Sequence, residues 1–499
     1  MKIISKRLWA ALGTSCLFTL QAWAGPATGP TPTPFADNNG TTVPPGQYSG
    51  PQFKLSHDYP AKAPVPAMPW RKAIGNGQIN VGNAKAYAEA LKQAVGPDMR
   101  VLLEDYANWD AAKRGWYNEP WIGFLREPIH GMYVGTQEFD KSLFAQSGLT
   151  KPLTTYVLTY YDRTAAVTLN RIWGQTGMKP VVNPKTTQFD EGALIVKASF
   201  VTADGSVWPP MADALTWPLY ISVDATTNPP PSYAVTPPVL TNTSFMQFDI
   251  IVKDTKSAPK TGWVFMTLVY DKRLKKGPNG VWDQMVALGA QWGNDPQAND
   301  PGNPNPKLIE NWNNPAAPFY ATETLGWGQR LSGPNDGAMN DYAYVSGTHP
   351  TDASKVEGKK DGAARPGQLV LVKNGKDSSC MSCHSSAQWD VNNPKVGMPS
   401  FLLPILTPTP QPPAGCKGDE ECNALNSPPP GSPLWMKWFQ NRLGNVPMDK
   451  GAVAADFDMV LTFKSLPAWY QATQAAQGTV HPLLQTDRNG RRYLKPVQR

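Results

Sequence analysis

Five consecutive residues, Cys380-Met381-Ser382-Cys383-His384, bring two thiols and an imidazole into one short stretch of chain. Cys-x-x-Cys-His is the pattern of covalent c-type haem attachment. Two thiols at this spacing add across the two vinyl groups on one edge of a porphyrin. The adjacent histidine then reaches the iron with a ring nitrogen. The same residue types occur in zinc ribbons and in redox-active dithiols. A zinc ribbon needs a second ligand pair, and Cys416 and Cys422 have the wrong spacing for the usual one. A thioredoxin-like dithiol follows a strand and opens a helix in a βαβ setting, and the sequence around residue 380 has no such setting. The expectation is one covalent haem c, tethered by Cys380 and Cys383, with His384 as the proximal iron ligand.

The second axial position decides what such an iron does. A methionine sulfur there raises the reduction potential and leaves no room for substrate. Met448 is the first candidate, 64 residues past His384, after Gly444-Asn445-Val446-Pro447 and before an expected helix. Met398, in Gly397-Met398-Pro399, is the second, and His349, in a Gly-Thr-His-Pro turn, is the third. The chain holds 15 methionines, so an ordinary loop methionine is the competing reading of Met448. Arg126, Glu127 and His130, in Arg-Glu-Pro-Ile-His-Gly, have the types to line a distal pocket and supply protons to an iron ligand. A structural turn carrying a surface histidine is the commoner use of such residues. The 18 tryptophans suit haem packing or sugar stacking, but core and lid positions are more usual. No Gly-rich phosphate loop, His-Glu-x-x-His or Gly-x-Ser-x-Gly element is present.

The elements around these residues follow from composition and periodicity. Residues 1–24 read as a secretory signal peptide: Lys2, Lys6 and Arg7, an apolar run from Leu8 to Leu20, then Ala22-Trp23-Ala24. The run is shorter than the ~20 residues a spanning helix needs, and no later stretch is long enough, so no membrane span is expected after cleavage. Cleavage leaves 475 residues and lowers the formal charge from +7 to about +4. With no long basic block, nothing argues for nucleic acid. The mild positive balance is compatible with an acidic redox partner. In an oxidising compartment Cys416 and Cys422, with five residues between them in a polar loop, read first as a short-loop disulfide. Two thiols or a metal pair are the alternatives.

Residues 25–70, rich in Pro, Gly, Thr and Ala, read as an extended or disordered lead-in. A helix is expected from Asn83 to Val95, capped by Asn83 and stopped by Gly96-Pro97. Strands are expected over Thr154–Tyr161, Ala193–Phe200, Leu219–Val223, Phe245–Lys253 and Trp263–Tyr270. Residues 293–317 form a loop crowded with Asn, Asp and Pro. Its oxygens suit calcium, though its spacing matches no calcium loop and a solvated surface loop is the plainer reading. Gln368–Lys373 reads as a strand directly before the motif, where small cytochromes c place a helix. Ser432-Pro433 opens a helix that Gly444 ends, and a second helix is expected from Ala455 to Ser465.

The order of these parts resembles the cytochrome P460-like layout, a β domain followed by a haem-attachment motif. The matching segments are Gly192-Ala193-Leu194-Ile195-Val196-Lys197, Gly262-Trp263-Val264-Phe265 and the motif at 380. They cover about half the chain, this chain is far larger, and the resemblance assigns that family's cross-linking lysine to no lysine here. The chain is also similar to large monohaem cytochrome c-family proteins of undefined role, through the Trp116–Gly131 segment, Gly262-Trp263, Gly326-Trp327-Gly328 and Cys-x-x-Cys-His-Ser-Ser-Ala-Gln.

The expected fold is α+β and mainly β. A lead-in at 25–70 precedes an antiparallel β domain at 71–350, and residues 351–499 form a haem-binding region of loops and short helices packed on it. The expected role is periplasmic transfer of single electrons to a partner protein. A haem enzyme with an open axial site, acting on small oxygen or nitrogen compounds as the P460-like layout implies, is the alternative. A binding or sensor module with a structural haem is a third.

Overall fold

A computed structural model describes residues 34–35, 42–120, 126–139, 141–221, 238–303, 305–337, 342–344, 369–373, 378–390, 425–426 and 430–466, with short pieces at 469–470, 473, 484–486 and 492–494. The signal-peptide reading, Met398, His349, Cys416 and Cys422 lie outside them.

The chain is α+β and mainly β, built on one nine-stranded antiparallel sheet. Its strands are β1 (Trp116–Tyr117), β2 (Tyr133–Phe139), β3 (Leu153–Asp162), β4 (Leu194–Val201), β5 (Thr216–Ile221), β6 (Val239–Lys253), β7 (Trp263–Tyr270), β8 (Met285–Gln291) and β9 (Asn311–Asn313). The order is β1-β3-β4-β6-β7-β8-β9. β2 pairs along the far part of β3, and β5 pairs with the first half of the long β6. Three of the five strand expectations match to within a residue, Trp263–Tyr270 residue for residue, and the one over Phe245–Lys253 covers only the second part of β6, which opens six residues earlier at Val239. The fifth, Leu219–Val223, lies three residues late, because β5 opens at Thr216, opposite Ser244.

The two faces of this sheet differ. One carries Leu158, Ala198, Phe248 and Leu268 abreast, then Tyr160, Val196, Ile250 and Met266. This face is covered in part by helix α1 (Ala84–Glu104), with Trp282 wedged between Phe248 and Gly96. α1 does not stop at Gly96-Pro97. Its apolar stripe continues through Met99, Leu102 and Leu103, all buried, and that packing outweighs the hydrogen bond that Pro97 forgoes. Helix α2 (Arg163–Trp173) follows β3 directly, capped by the Asp162 carboxylate on Ala165 N at 2.8 Å.

The lead-in is extended where described, but it belongs to the core. Phe53, Tyr59, Met68 and Trp70 are buried, and Phe53 N donates to Ile129 O. Proline-rich chain forms no ladder of its own, yet aromatic side chains spaced along it can still bury their area on a neighbour.

Where described, the C-terminal segment is made of loops, short helices and short strands, with His384 and Phe457 against Phe265 on the second face of the sheet. β10 (Tyr342–Tyr344), β11 (Leu369–Lys373) and β13 (Leu425–Asn426) form a small separate sheet, so a strand does precede the motif. Helix α3 (Cys380–His384) leads into β12 (Gln388–Trp389), which pairs with β14 (Val453–Ala454). Helix α4 (Pro433–Phe439) starts as expected, with Ser432 Oγ accepting from Trp435 N. The helix expected over Ala455–Ser465 forms only in its second half, because Asp456 and Phe457 have φ of +46° and +70°. Among the described residues no helix is long and apolar enough to cross a membrane.

Candidate functional site

The motif is a single helical turn with a built start. Ser379 Oγ accepts from Ser382 N at 3.1 Å, and Ser382 Oγ accepts from Ser379 N at 2.8 Å, a reciprocal cap. The next two amides are tied to the sheet side. Cys380 N donates to Leu331 O at 2.9 Å, and Met381 N to Gln291 Oε1 at the end of β8 at 2.9 Å. Gly326 lets the segment come this close: a Cβ there would lie 1.7 Å from Ser378 O. That explains one glycine of Gly326-Trp327-Gly328.

At the other end of the turn His384 rests against Phe265 of β7, ring centroids 4.7 Å apart. Its Nδ1 lies 2.8 Å from the carbonyl oxygen of Phe457. A carbonyl only accepts, so Nδ1 carries the hydrogen. Burial lowers the imidazole pKa to about 4, and the Lys197 charge pushes the same way against the opposing Phe457 carbonyl and Asp249. The ring is therefore neutral near pH 7, and Nε2, on the edge away from Phe457, holds the lone pair. This is the form that binds a metal. Cys380 is buried beside it and Cys383 half-buried. Two thiols and one correctly protonated imidazole in one anchored turn fit a covalently held haem. Among the described residues no group of three or more His, Cys, Asp or Glu side chains is placed to hold a metal ion.

The face of the sheet beneath the motif is unusual for a buried surface. Next to Phe265 run Ile251, Ile195 and Tyr161, and one row further come Thr267, Asp249, Lys197 and Thr159. The row after that holds Gln247, Ser199 and Val157. Phe457 packs near Trp263 and Phe265, so the polar rows lie on the other side of Phe265 from it. Asp249 is buried and accepts from Lys197 Nζ at 2.9 Å, Gln247 Nε2 at 2.9 Å and Thr267 Oγ1 at 2.8 Å. The hydroxyls of Ser199 and Thr155 on this face are buried without a hydrogen-bond partner among the described residues. Buried polar atoms are normally paired, so these two hydroxyls are the groups on this face with hydrogen-bonding capacity to spare among the described residues.

At the rim, Tyr133 OH and Thr159 Oγ1 are 2.7 Å apart, and Lys464 Nζ donates to Gly135 O at 3.0 Å. Tyr161 OH donates to Asp458, 3.2 Å to each oxygen. Burial raises the Asp458 pKa to about 7. A carboxyl held above its ordinary value favours the fold most below about pH 4, and that contribution is lost as pH rises through about 7. Asp458→Asn removes the titration. Its unfolding free energy, read from denaturant titrations, should therefore gain on that of the parent between pH 5 and pH 8, by a difference on the order of a few kcal/mol. A pH-independent difference would show that Asp458 is ionised throughout.

The remaining sequence candidates fall elsewhere. Met448 packs against Trp435, Trp438 and Phe439 of the α4 cluster, whereas His384 contacts Phe265 and Phe457. Its neighbour Asp449 is tied to Gln388 through both Gln388 Nε2 and Asp449 N. Arg126 forms a buried ion pair with Glu119 at 3.0 Å. The Glu127 carboxylate accepts from the amides of Ile129, His130 and Met132, so this is a structural turn. Its histidine is not at the surface: His130 stacks on Trp217 at 4.4 Å, with Phe53 and Tyr106 at its edges. The 293–317 loop likewise spends its oxygens on N–H donors. Asp295 accepts from Ile309 N and Glu310 N, and Glu310 accepts from Asp295 N and Asn441 Nδ2.

Comparison with protein-family models, with curated proteins and with solved structures finds no match.

Proposed function

We propose that this chain is an exported haem protein of the c type, with Cys380 and Cys383 as tethers and His384 as the proximal ligand. The hydrogen bond from His384 Nδ1 to Phe457 O carries the reading, because it fixes the tautomer that leaves Nε2 for iron. A bound haem supplies an iron that changes oxidation state by one electron. The chain's own residues then decide what reaches it. Lys197, Gln247, Thr267 and Ser199 make this buried face polar, and the Asp249 carboxylate fixes the first three by accepting from each of them. Such a face favours a small polar oxygen or nitrogen compound at the iron, and so the enzyme reading.

The electron-carrier reading, with a periplasmic partner and Met448 as sixth ligand, has its own support. The Asp449–Gln388 hydrogen bonds tie the methionine loop to the chain four residues past His384.

Visible spectra separate the two. The protein should be matured in a periplasm with haem-attachment machinery, then measured oxidised, reduced, and reduced under CO. The polar-face reading expects a high-spin ferric spectrum and rapid CO binding. A six-coordinate spectrum with a methionine-to-iron charge-transfer band, lost in Met448→Ala and unmoved by CO, would establish the carrier. Absence of covalent haem would sink both.

A further inference from the structure

Two adjacent residues hold the backbone in the left-handed region, Asp456 at φ +46° and Phe457 at φ +70°. Neither is glycine, and a bulky residue such as phenylalanine rarely sits there. Strain of this kind persists only where the surroundings over-determine it. Here they do. The Asp456 side chain is fully buried. Lys253 Nζ donates to its Oδ1 at 2.6 Å and to its Oδ2 at 2.8 Å. Trp263 Nε1 donates to Oδ1 at 2.7 Å, and Phe189 N to Oδ2 at 2.7 Å. Asp456 N donates to Gly444 O at 3.1 Å. One carboxylate thus gathers β6, β7 and the chain before β4 onto a single turn. That turn's next carbonyl, Phe457 O, is the acceptor for His384 Nδ1.

We infer that Asp456 is the positioning residue of the iron ligand: it clamps a strained turn so that the Phe457 carbonyl meets His384 Nδ1 and sets how strongly the imidazole donates to iron. The inference rests on the haem reading above. A histidine whose Nδ1–H is held by a carbonyl is a more basic ligand, and a more basic ligand favours the ferric state. Asp456 touches neither haem nor substrate; it acts through Phe457 and His384.

The test is the reduction potential of the purified holoprotein, after haem staining on a denaturing gel confirms covalent attachment. Asp456→Gly is the informative variant, because glycine accepts φ +46° without strain and removes only the clamp. Its expected effect is a shift toward the ferrous state of about tenfold, ~59 mV for a one-electron couple, with faster exchange of the His384 Nδ1 hydrogen by NMR. Asp456→Asn keeps one acceptor oxygen and should shift the potential in the same direction by less. Ile250→Ala, on the opposite face of the sheet, destabilises through a core cavity and should leave the potential unchanged. Covalent haem with an Asp456→Gly potential within a factor of two of the parent would reduce Asp456 to a structural clamp. No covalent haem in the parent protein would overturn the reading beneath it.

Discussion

Gly444→Ala should disrupt the site as severely as any single methyl group can. A Cβ at Gly444 would lie 1.5 Å from Asp456 Oδ1 and 2.5 Å from its Cγ. The carboxylate cannot swing aside, because Lys253, Trp263 and Phe189 hold both of its oxygens. Overpacking of a buried site costs about 1–3 kcal/mol, and losing buried charge-assisted hydrogen bonds adds about 1.5–3 kcal/mol. We expect a loss of about 4 kcal/mol, read from denaturant midpoints, together with exposure of His384. The double variant Gly444→Ala with Asp456→Gly should recover the overpacking part only, since the clashing carboxylate is gone but so are the hydrogen bonds it accepted. An unchanged midpoint in Gly444→Ala alone would mean that the two residues are not in contact.

Arg126→Leu should be nearly as costly for an electrostatic reason. Arg126 and Glu119 are both buried, their ion pair is 3.0 Å long, and the guanidinium also donates to Gly131 O, Glu119 O and Pro120 O. Burial already raises the Glu119 pKa, with Arg126 opposing the rise. Removing one partner of a buried pair costs about 3–5 kcal/mol, because the other charge is left stranded. The pair Glu119→Gln with Arg126→Leu should therefore be more stable than Arg126→Leu alone. Thermal unfolding of the three variants closes the cycle. A double variant less stable than the single one would show that Arg126 acts through the three carbonyls rather than through Glu119.

Much of the scaffold was legible in the sequence because β-branched and aromatic runs mark strands directly. Trp263–Tyr270 needed nothing more. The two-residue strands carried too little pattern, α2 had a usable one in its capping Asp162 ahead of Ala165, Leu169, Ile172 and Trp173, and α1 outran its proline because packing outweighed the local stop signal. Of the proposed site only the Cys-x-x-Cys-His turn was legible in the sequence. Cys380, Cys383 and His384 are named by spacing, and a capped helical turn is where they lie.

The residues around them were missed for a physical reason. In β6, Phe248, Ile250 and Val252 alternate with polar Asp249, a pattern that usually means one face in water. Here both faces are buried, so alternation reported a difference between faces and not solvent. Asp456 and Phe457 gave no signal at all, since their backbone angles are imposed by partners two hundred residues away.

Those distances in sequence also set an order of events. The strands of the sheet join mostly to their near neighbours along the chain. The motif region is closed by contacts of another scale: Thr187 to Ala454 across 267 residues, Tyr161 to Asp458 across 297, and Lys464 to Gly135 across 329. Contacts of such separation form slowly, because the loop entropy is lost before any contact repays it. The sheet is thus expected to assemble first and the segment bearing the two thiols to dock last. Until that final step Cys380 and Cys383 stay accessible, so the topology itself leaves a time window for chemistry at a turn that is otherwise enclosed.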